Sequence, residues 1–377
     1  MSSINPNSNP LKILYTEAAT TYGGQERYIH RLMLAMRDQG HTVEALCQAN
    51  SELNTRLQTD GFTVHHAVLE RGFWRFLRNT FGLRGLLKKQ QYDVVNTHSR
   101  CDTVHVGFAA KLAGVPLVVR TRHLAKPIGS LLSYTWAAHR VIAVSEFVRQ
   151  QIIHRGVNPD YVDIVFPAVN LPDPLPPQQL RHELGLDEEA TVVGTVAVLR
   201  KEKGVQELIQ AMAPLLRAQA DGSLHLVIVG GGTLLPQLQH FAEQLEVSEQ
   251  VHFLGTRNDI SSLLGDFDVF ASATYIEASG TTFAEAAAAK VAVVGTQVGG
   301  VPEMMNPGKS GLLVPLHDVV ALRKALERLI TNKALRHSMG QAGYEYAVAE
   351  GRFRLDTMQQ RTEHSYRRWL NQRGRHV

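Results

Sequence analysis

Cysteine is nearly absent from this chain of 377 residues, occurring only as Cys47 and Cys101. Two cysteines cannot build a disulfide framework, and both read as buried free thiols in apolar, β-like surroundings. Long hydrophobic runs are missing too: none approaches the ~18–20 residues that a membrane-spanning helix needs. Residues 1–10 are polar and rich in Asn, Ser and Pro. They have neither the charged start nor the apolar core of a signal peptide, so they read as a short tail. Together these absences place the protein in the cytoplasm. Charge of one sign is scarce as well, with a formal net charge of +4. That suits an anionic ligand or membrane surface and does not point to nucleic acid. No cluster of His, Cys and Asp has metal-ligand spacing, so no metal or other cofactor is expected.

What is present is globular, with 44% hydrophobic and 20% charged residues, in a chain long enough for two domains. Short β-branched runs alternate with helical stretches, the rhythm of parallel α/β sheets. The first half gives 12–15, 42–46, 62–68, 93–97, 116–120, 141–144 and 162–166 as strands. A helix over 25–39 places Tyr28, Ile29, Leu32, Met33 and Met36 on one face. Five prolines (Pro167, Pro172, Pro174, Pro176 and Pro177) then forbid a continuing helix or central strand and mark a linker. The rhythm restarts with strands over 191–198, 224–229, 251–254, 269–271, 291–295 and 312–314. The expected organisation is a domain over 1–170, a linker over 171–190 and a second domain over 191–350. A C-terminal helix within 351–377 is expected to pack back on the first domain. The architecture is α/β: two Rossmann-like domains facing a central cleft, with ligands at the carboxyl ends of the strands.

Some patterns fail on inspection. Gly230-Gly231-Gly232 follows a strand, but Leu235 stands where a dinucleotide fingerprint needs its third glycine. Gly308-Lys309-Ser310 precedes a strand instead of a helix, so it is no phosphate loop. Asp266-Phe267-Asp268 also precedes its strand and reads as a plain turn.

Other stretches sit where chemistry is done. Glu277 lies in a loop after a strand, Gly280 just before a helix, Thr281 and Thr282 at its start, and Glu285 about one turn inside. Free amides at such a start bind anionic oxygens. Arg200 and Lys203 lie between a strand and a helix, cations that can stabilise a leaving anion. Gly23 and Gly24 open the first helix. His123 follows the strand over 116–120, and His98 with Arg100 follows that over 93–97. For His98 and Arg100, acceptor contact and core packing both remain open.

The pattern of Glu277, seven intervening residues and Glu285 resembles glycosyltransferase family 4, and the likeness extends over nearly the whole chain. The resemblance implies a GT-B fold and retaining transfer of a sugar from a nucleotide-diphosphate donor to an acceptor hydroxyl. It implies that Glu277 and His123 contact the donor sugar and that Glu285 binds the ribose. Gly23, Gly24, Arg200, Lys203, Gly280, Thr281 and Thr282 would hold the diphosphate. Three positions depart from the family. Val198 stands where its usual arginine lies, with Arg200 displaced by two residues. Ser279 replaces an aromatic, and Lys290 a glycine.

The acceptor implied is a glycan or lipid-linked glycan of the bacterial envelope, such as lipopolysaccharide. The segment 71–89 carries Arg71, Arg75, Arg78, Arg84, Lys88 and Lys89 among aromatic and leucine side chains, the composition of a helix that docks on anionic lipid. That would make the protein peripheral on the inner face of the cytoplasmic membrane. The rival readings are a nucleotide-sugar epimerase of the same fold and a non-catalytic partner subunit.

Overall fold

A computed structural model of the chain describes residues 9–70, 72–169, 179–219 and 222–375. The N-terminal tail at 1–8, Arg71, and the linker residues around Pro172, Pro174, Pro176 and Pro177 lie outside the described residues. The chain divides into two compact units, one reaching Ala168 and completed by the segment from Leu355, the other running from Val169 to Arg354.

In the first unit seven strands form one sheet in the order β3-β2-β1-β4-β5-β6-β7. They are β1 (Lys12–Thr16), β2 (Thr42–Cys47), β3 (Thr63–His66), β4 (Val94–Thr97), β5 (Leu117–Arg122), β6 (Arg140–Ala143) and β7 (Val162–Ile164). All neighbours are parallel. The helix Gly24–Asp38 buries Tyr28, Ile29, Leu32, Met33 and Met36, the face its periodicity marks out. The C-terminal helix Leu355–Gln372 belongs to this unit. Its Trp369 and Tyr366 are fully buried, and the Tyr366 hydroxyl accepts from Asn96 Nδ2 in β4 at 2.6 Å.

The second unit repeats the plan with six strands in the order β10-β9-β8-β11-β12-β13. These are β8 (Thr191–Val196), β9 (Leu224–Val229), β10 (Val251–Gly255), β11 (Val269–Ser272), β12 (Ala292–Thr296) and β13 (Gly311–Val314), again parallel throughout. The helix Val205–Ala218 buries Val205, Leu208, Ile209, Met212 and Leu216 in a core with Leu226 and Ile228 of β9.

In each sheet the strand order reverses once, between β1 and β4 and between β8 and β11. Connections leave such a point in opposite directions and open a crevice beyond the strand ends, where parallel α/β sheets bind ligands.

Three readings need correction. Of the segment taken as linker, residues 179–190 are built into the second unit. They contain the helix Gln179–Leu184, whose buried Arg181 donates to Asp266 O at 2.7 Å and Asp268 Oδ2 at 2.6 Å. Proline density forbids regular structure only where the prolines are. Asp266-Phe267-Asp268 is accordingly more than a turn: Asp268 also holds Arg336 at 3.1 Å, an ion cluster that anchors the helix. Cys101 is not in a strand but half-buried in the helical turn Arg100–Asp102, while Cys47 is buried at the end of β2.

Candidate active site

In the second unit, the loops after β8 and β11 meet at the reversal point. Lys203 ends a turn, and its Nζ lies 2.5 Å from Glu277 Oε2, so the cation and the loop carboxylate are paired. The contact depends on glycines. Gly204 has φ +63°, and a β-carbon there would stand 1.9 Å from the Ala273 carbonyl oxygen. Gly299 has φ +53°, and a β-carbon would stand 1.9 Å from Glu277 O. Only a residue without a side chain lets these loops approach so closely. The Glu202 carbonyl accepts from Tyr275 N at 2.8 Å and Thr274 Oγ1 at 3.1 Å, fixing the β8 loop to the Glu277 loop.

Gly280, at φ +79°, caps the helix Thr281–Ala288 without any side-chain hydrogen bond. The amides of Thr281 and Thr282 precede any intrahelical acceptor, so this helix start can receive an anion. Glu285 lies one turn further along, half-buried. Arg200 is exposed, as is Val198, while Leu199 between them is buried. The Arg200 amide donates to the Val198 carbonyl at 2.8 Å, so the two exposed residues flank a tight turn around Leu199. Lys290 adopts φ +61°, the backbone that a glycine takes without strain.

In the first unit, Gly23 is the cap of the helix Gly24–Asp38, but its amide donates to Glu26 Oε2 at 2.7 Å. Glu26 takes only this cap amide, so the Gly24 and Gln25 amides at the first helical positions still precede any intrahelical acceptor. A β-carbon on Gly24 would meet nothing within 4 Å. His98 and His123 follow β4 and β5, and their rings stack with His98 Nδ1 2.9 Å from His123 Nε2. Burial, aided by the Arg120 charge, pushes His123 down to about 3. Burial and the neighbouring His123 push His98 down as well. Both rings are therefore neutral near pH 7 and share one N–H···N bond.

These residues line a pocket of about 460 Å³ that also includes Glu17, Arg100, Arg120 and Arg122. Glu17 is buried, accepts from the Ala18 and Ala19 amides at 2.7 and 2.8 Å and from Gln25 Nε2, and is pushed up to about 8 by burial and by Asp102. Sequence reading missed Glu17, Arg120, Arg122, Gly204 and Gly299. The arginines left a signal: a central parallel strand reads as a continuous apolar run, and they interrupt it.

Two Rossmann-like units, each with polar residues at its reversal point, define the GT-B class of glycosyltransferase fold. Residues 177–346 match the family model described as glycosyl transferases group 1, and residues 22–172 match glycosyltransferase family 4. The chain belongs to glycosyltransferase family 4.

A D-inositol 3-phosphate glycosyltransferase of Corynebacterium aurimucosum is 32% identical over 297 residues, 76% of this chain and 68% of that protein. A GDP-mannose-dependent alpha-(1-6)-phosphatidylinositol monomannoside mannosyltransferase of Mycobacterium tuberculosis is 30% identical over 66% of this chain and 69% of its own length. Against other relatives, such as the Corynebacterium jeikeium D-inositol 3-phosphate glycosyltransferase at 36% identity, the match spans only 42% of the relative. The chain thus spans about half the length of several relatives that it matches.

Among solved structures, a glycosyltransferase from Rickettsia africae has a TM-score of 0.86 at 21% identity, covering 96% of this chain and 99% of that one. Anabaena HepE in complex with UDP-glucose has a TM-score of 0.79 at 22% identity, covering 94% and 99%. Identities this low show a shared fold.

Proposed function

We propose that the protein is a retaining glycosyltransferase that moves a sugar from a nucleotide-diphosphate donor to a hydroxyl of an envelope glycan or glycolipid, such as lipopolysaccharide. The observation that carries this reading is the second unit's constellation: Lys203 held by Glu277 beside a helix start with no side-chain cap. Lys203, the Thr281 and Thr282 amides and exposed Arg200 would hold the diphosphate, and Glu285 the ribose. A preorganised cation stabilises the charge that develops as the phosphate leaves.

In the step proposed, the acceptor oxygen bonds to the anomeric carbon on the face from which the diphosphate departs. The carbon–oxygen bond to the phosphate breaks, and a phosphate oxygen takes the acceptor proton. Glu277 and His123 orient the sugar. A neutral His123 fits hydrogen bonding to hydroxyls better than proton transfer. With charge neutralised by Lys203 and the helix start, no metal is assigned a role, and turnover is expected to survive chelation by EDTA.

For the acceptor, the helix Phe73–Gln90 supports contact with an anionic membrane. Its Phe73, Trp74 and Phe81 are 67%, 80% and 65% exposed, and Arg78, Lys88 and Lys89 are exposed beside them. A trough of about 600 Å³ lined by Phe73, Phe76, Val104 and Leu132 adjoins it, suited to the apolar part of a lipid-linked acceptor. Among the described residues no helix is long and apolar enough to cross a membrane.

The test is turnover of a panel of nucleotide sugars followed by NMR. The reading expects release of nucleoside diphosphate and a first-formed product with the donor's anomeric configuration. An inverted product contradicts retention. Conversion of the donor to its epimer without acceptor would establish the epimerase instead.

A further inference from the structure

We propose that the first unit's pocket binds an anionic group of the acceptor, a phosphate or a carboxylate, between Arg100, Arg120 and Arg122; this rests on the proposed transfer reaction and on taking His98 and Arg100, which line that pocket, as acceptor contacts. Arg120 and Arg122 are two apart on β5 and so project from one face of the sheet. They are only 4% and 6% exposed. An arginine cannot shed its charge by losing a proton, so a buried one ordinarily sits in an ion pair. Neither does here among the described residues.

Their partners are neutral. Arg120 Nη1 donates to Ser133 Oγ, and its guanidinium lies 4.0 Å from the centre of the Tyr134 ring. Arg122 donates from Nη1 to Tyr134 Oη and from Nη2 to Lys126 O. The Nε of each is buried without a hydrogen-bond partner. A ring face offsets only part of what water would give a guanidinium.

The carboxylates nearby are engaged elsewhere. Asp102 accepts from Thr16 Oγ1, Ser99 Oγ and the His98 and Thr103 amides. Glu17 accepts from two amides and Gln25, and Glu70 takes Arg75. Two guanidiniums thus line the cavity with no carboxylate in ion-pair contact, Asp102 acting on Arg120 only through space, and exposed Arg100 stands in the same wall. Their planar forks match the paired oxygens of phosphate and carboxylate.

The test is calorimetric titration of the full chain with inorganic phosphate and, separately, malonate. Each run is made with whichever of UDP, GDP or ADP binds held at saturation, so that the diphosphate site is filled. One anion per chain is expected, weakened at least tenfold by Arg122→Gln and by Arg100→Ala, with nucleotide affinity within twofold of wild type as the measure of intact folding. Arg100 is exposed, so its variant tests the site even if Arg122→Gln does not fold. Binding of phosphate alone, or of malonate alone, identifies the group. No anion binding, or binding that both variants leave unchanged, overturns the inference. Failure of every nucleotide to bind would instead overturn the transferase reading, and the anion titration would then be judged alone.

Discussion

Lys203 and Glu277 separate a contribution to stability from one to function. Their side chains are 31% and 23% exposed, and ion pairs with that access to water contribute only about 0–1 kcal/mol. Loss of a preorganised charge at a leaving group costs roughly 10²–10³ in rate. Lys203→Met is therefore expected to lower the melting temperature by no more than about 4 °C while reducing turnover at least a hundredfold. A large loss of stability with turnover intact would make the pair structural. Glu17 behaves differently. Its carboxyl is pushed up to about 8 from 4.5, so the folded chain keeps a proton that the unfolded chain releases. Stability then falls as pH rises through that window, by up to about 1.4 kcal/mol per pH unit for one proton. Buried His98 and His123 act in the opposite sense, but only below their ordinary value near 6.5. Urea denaturation between pH 6.5 and 8 reads Glu17 together with Asp102, which burial raises too and whose charge acts on it, and Glu17→Gln should flatten the decline; an unchanged slope would assign it to another group. The placement of Glu277 and Glu285 about a strand–loop–helix junction was legible in the sequence, and the family resemblance marked them as candidates. Glu17 was not, because one acid after a strand carries no signal until the loop folds over it.

The elements themselves were largely legible. Each run of β-branched residues became a strand, with ends shifted by a residue or two, as where β5 continues through Arg122. What spacing does not encode is how closely two loops approach. Gly204 is the sharpest case, since a side chain there needs a left-handed backbone and would also strike the Ala273 carbonyl. The backbone alone costs about 1–2 kcal/mol, and the clash adds to it by prising the β8 loop from Glu277. Gly40, at φ +88° with nothing within 4 Å of a built β-carbon, has the first cost without the second. Gly204→Ala should accordingly lower the urea midpoint clearly more than Gly40→Ala, and equal effects would show that the loops separate freely. The helix Phe73–Gln90 makes a different prediction. Lysines near an anionic surface contribute about 1 kcal/mol each, so replacing Lys88 and Lys89 by alanine should weaken co-sedimentation with phosphatidylserine vesicles roughly thirtyfold. Trp74→Ser with Phe81→Ser should weaken it further. Equal sedimentation of all forms would remove the membrane from the account.

Across the whole chain, the same plan occurs twice, and in each unit the strand order reverses where the polar residues gather. The two-domain α/β organisation could be read from rhythm and prolines, whereas strand order could not, because parallel strands neighbouring in space are distant in sequence. The reversal points explain why Lys203 and Glu277, 74 residues apart, come into contact, and why His98 and His123 do likewise. The two glycine-led helix starts look equivalent in sequence and differ in detail: Glu26 takes the Gly23 cap amide in the first, while the Gly280 start faces the Lys203–Glu277 pair. The diphosphate is proposed to sit at the second of these, beside Lys203. The most direct test is a thermal-shift screen of nucleoside diphosphates and nucleotide sugars on the wild type and on Glu285→Ala. At ~100 times its dissociation constant a ligand stabilises by about 2.7 kcal/mol. The account predicts that at least one nucleoside diphosphate raises the wild-type melting temperature and that Glu285→Ala loses the shift. No shift with any nucleotide, or a shift that Glu285→Ala keeps in full, would contradict it.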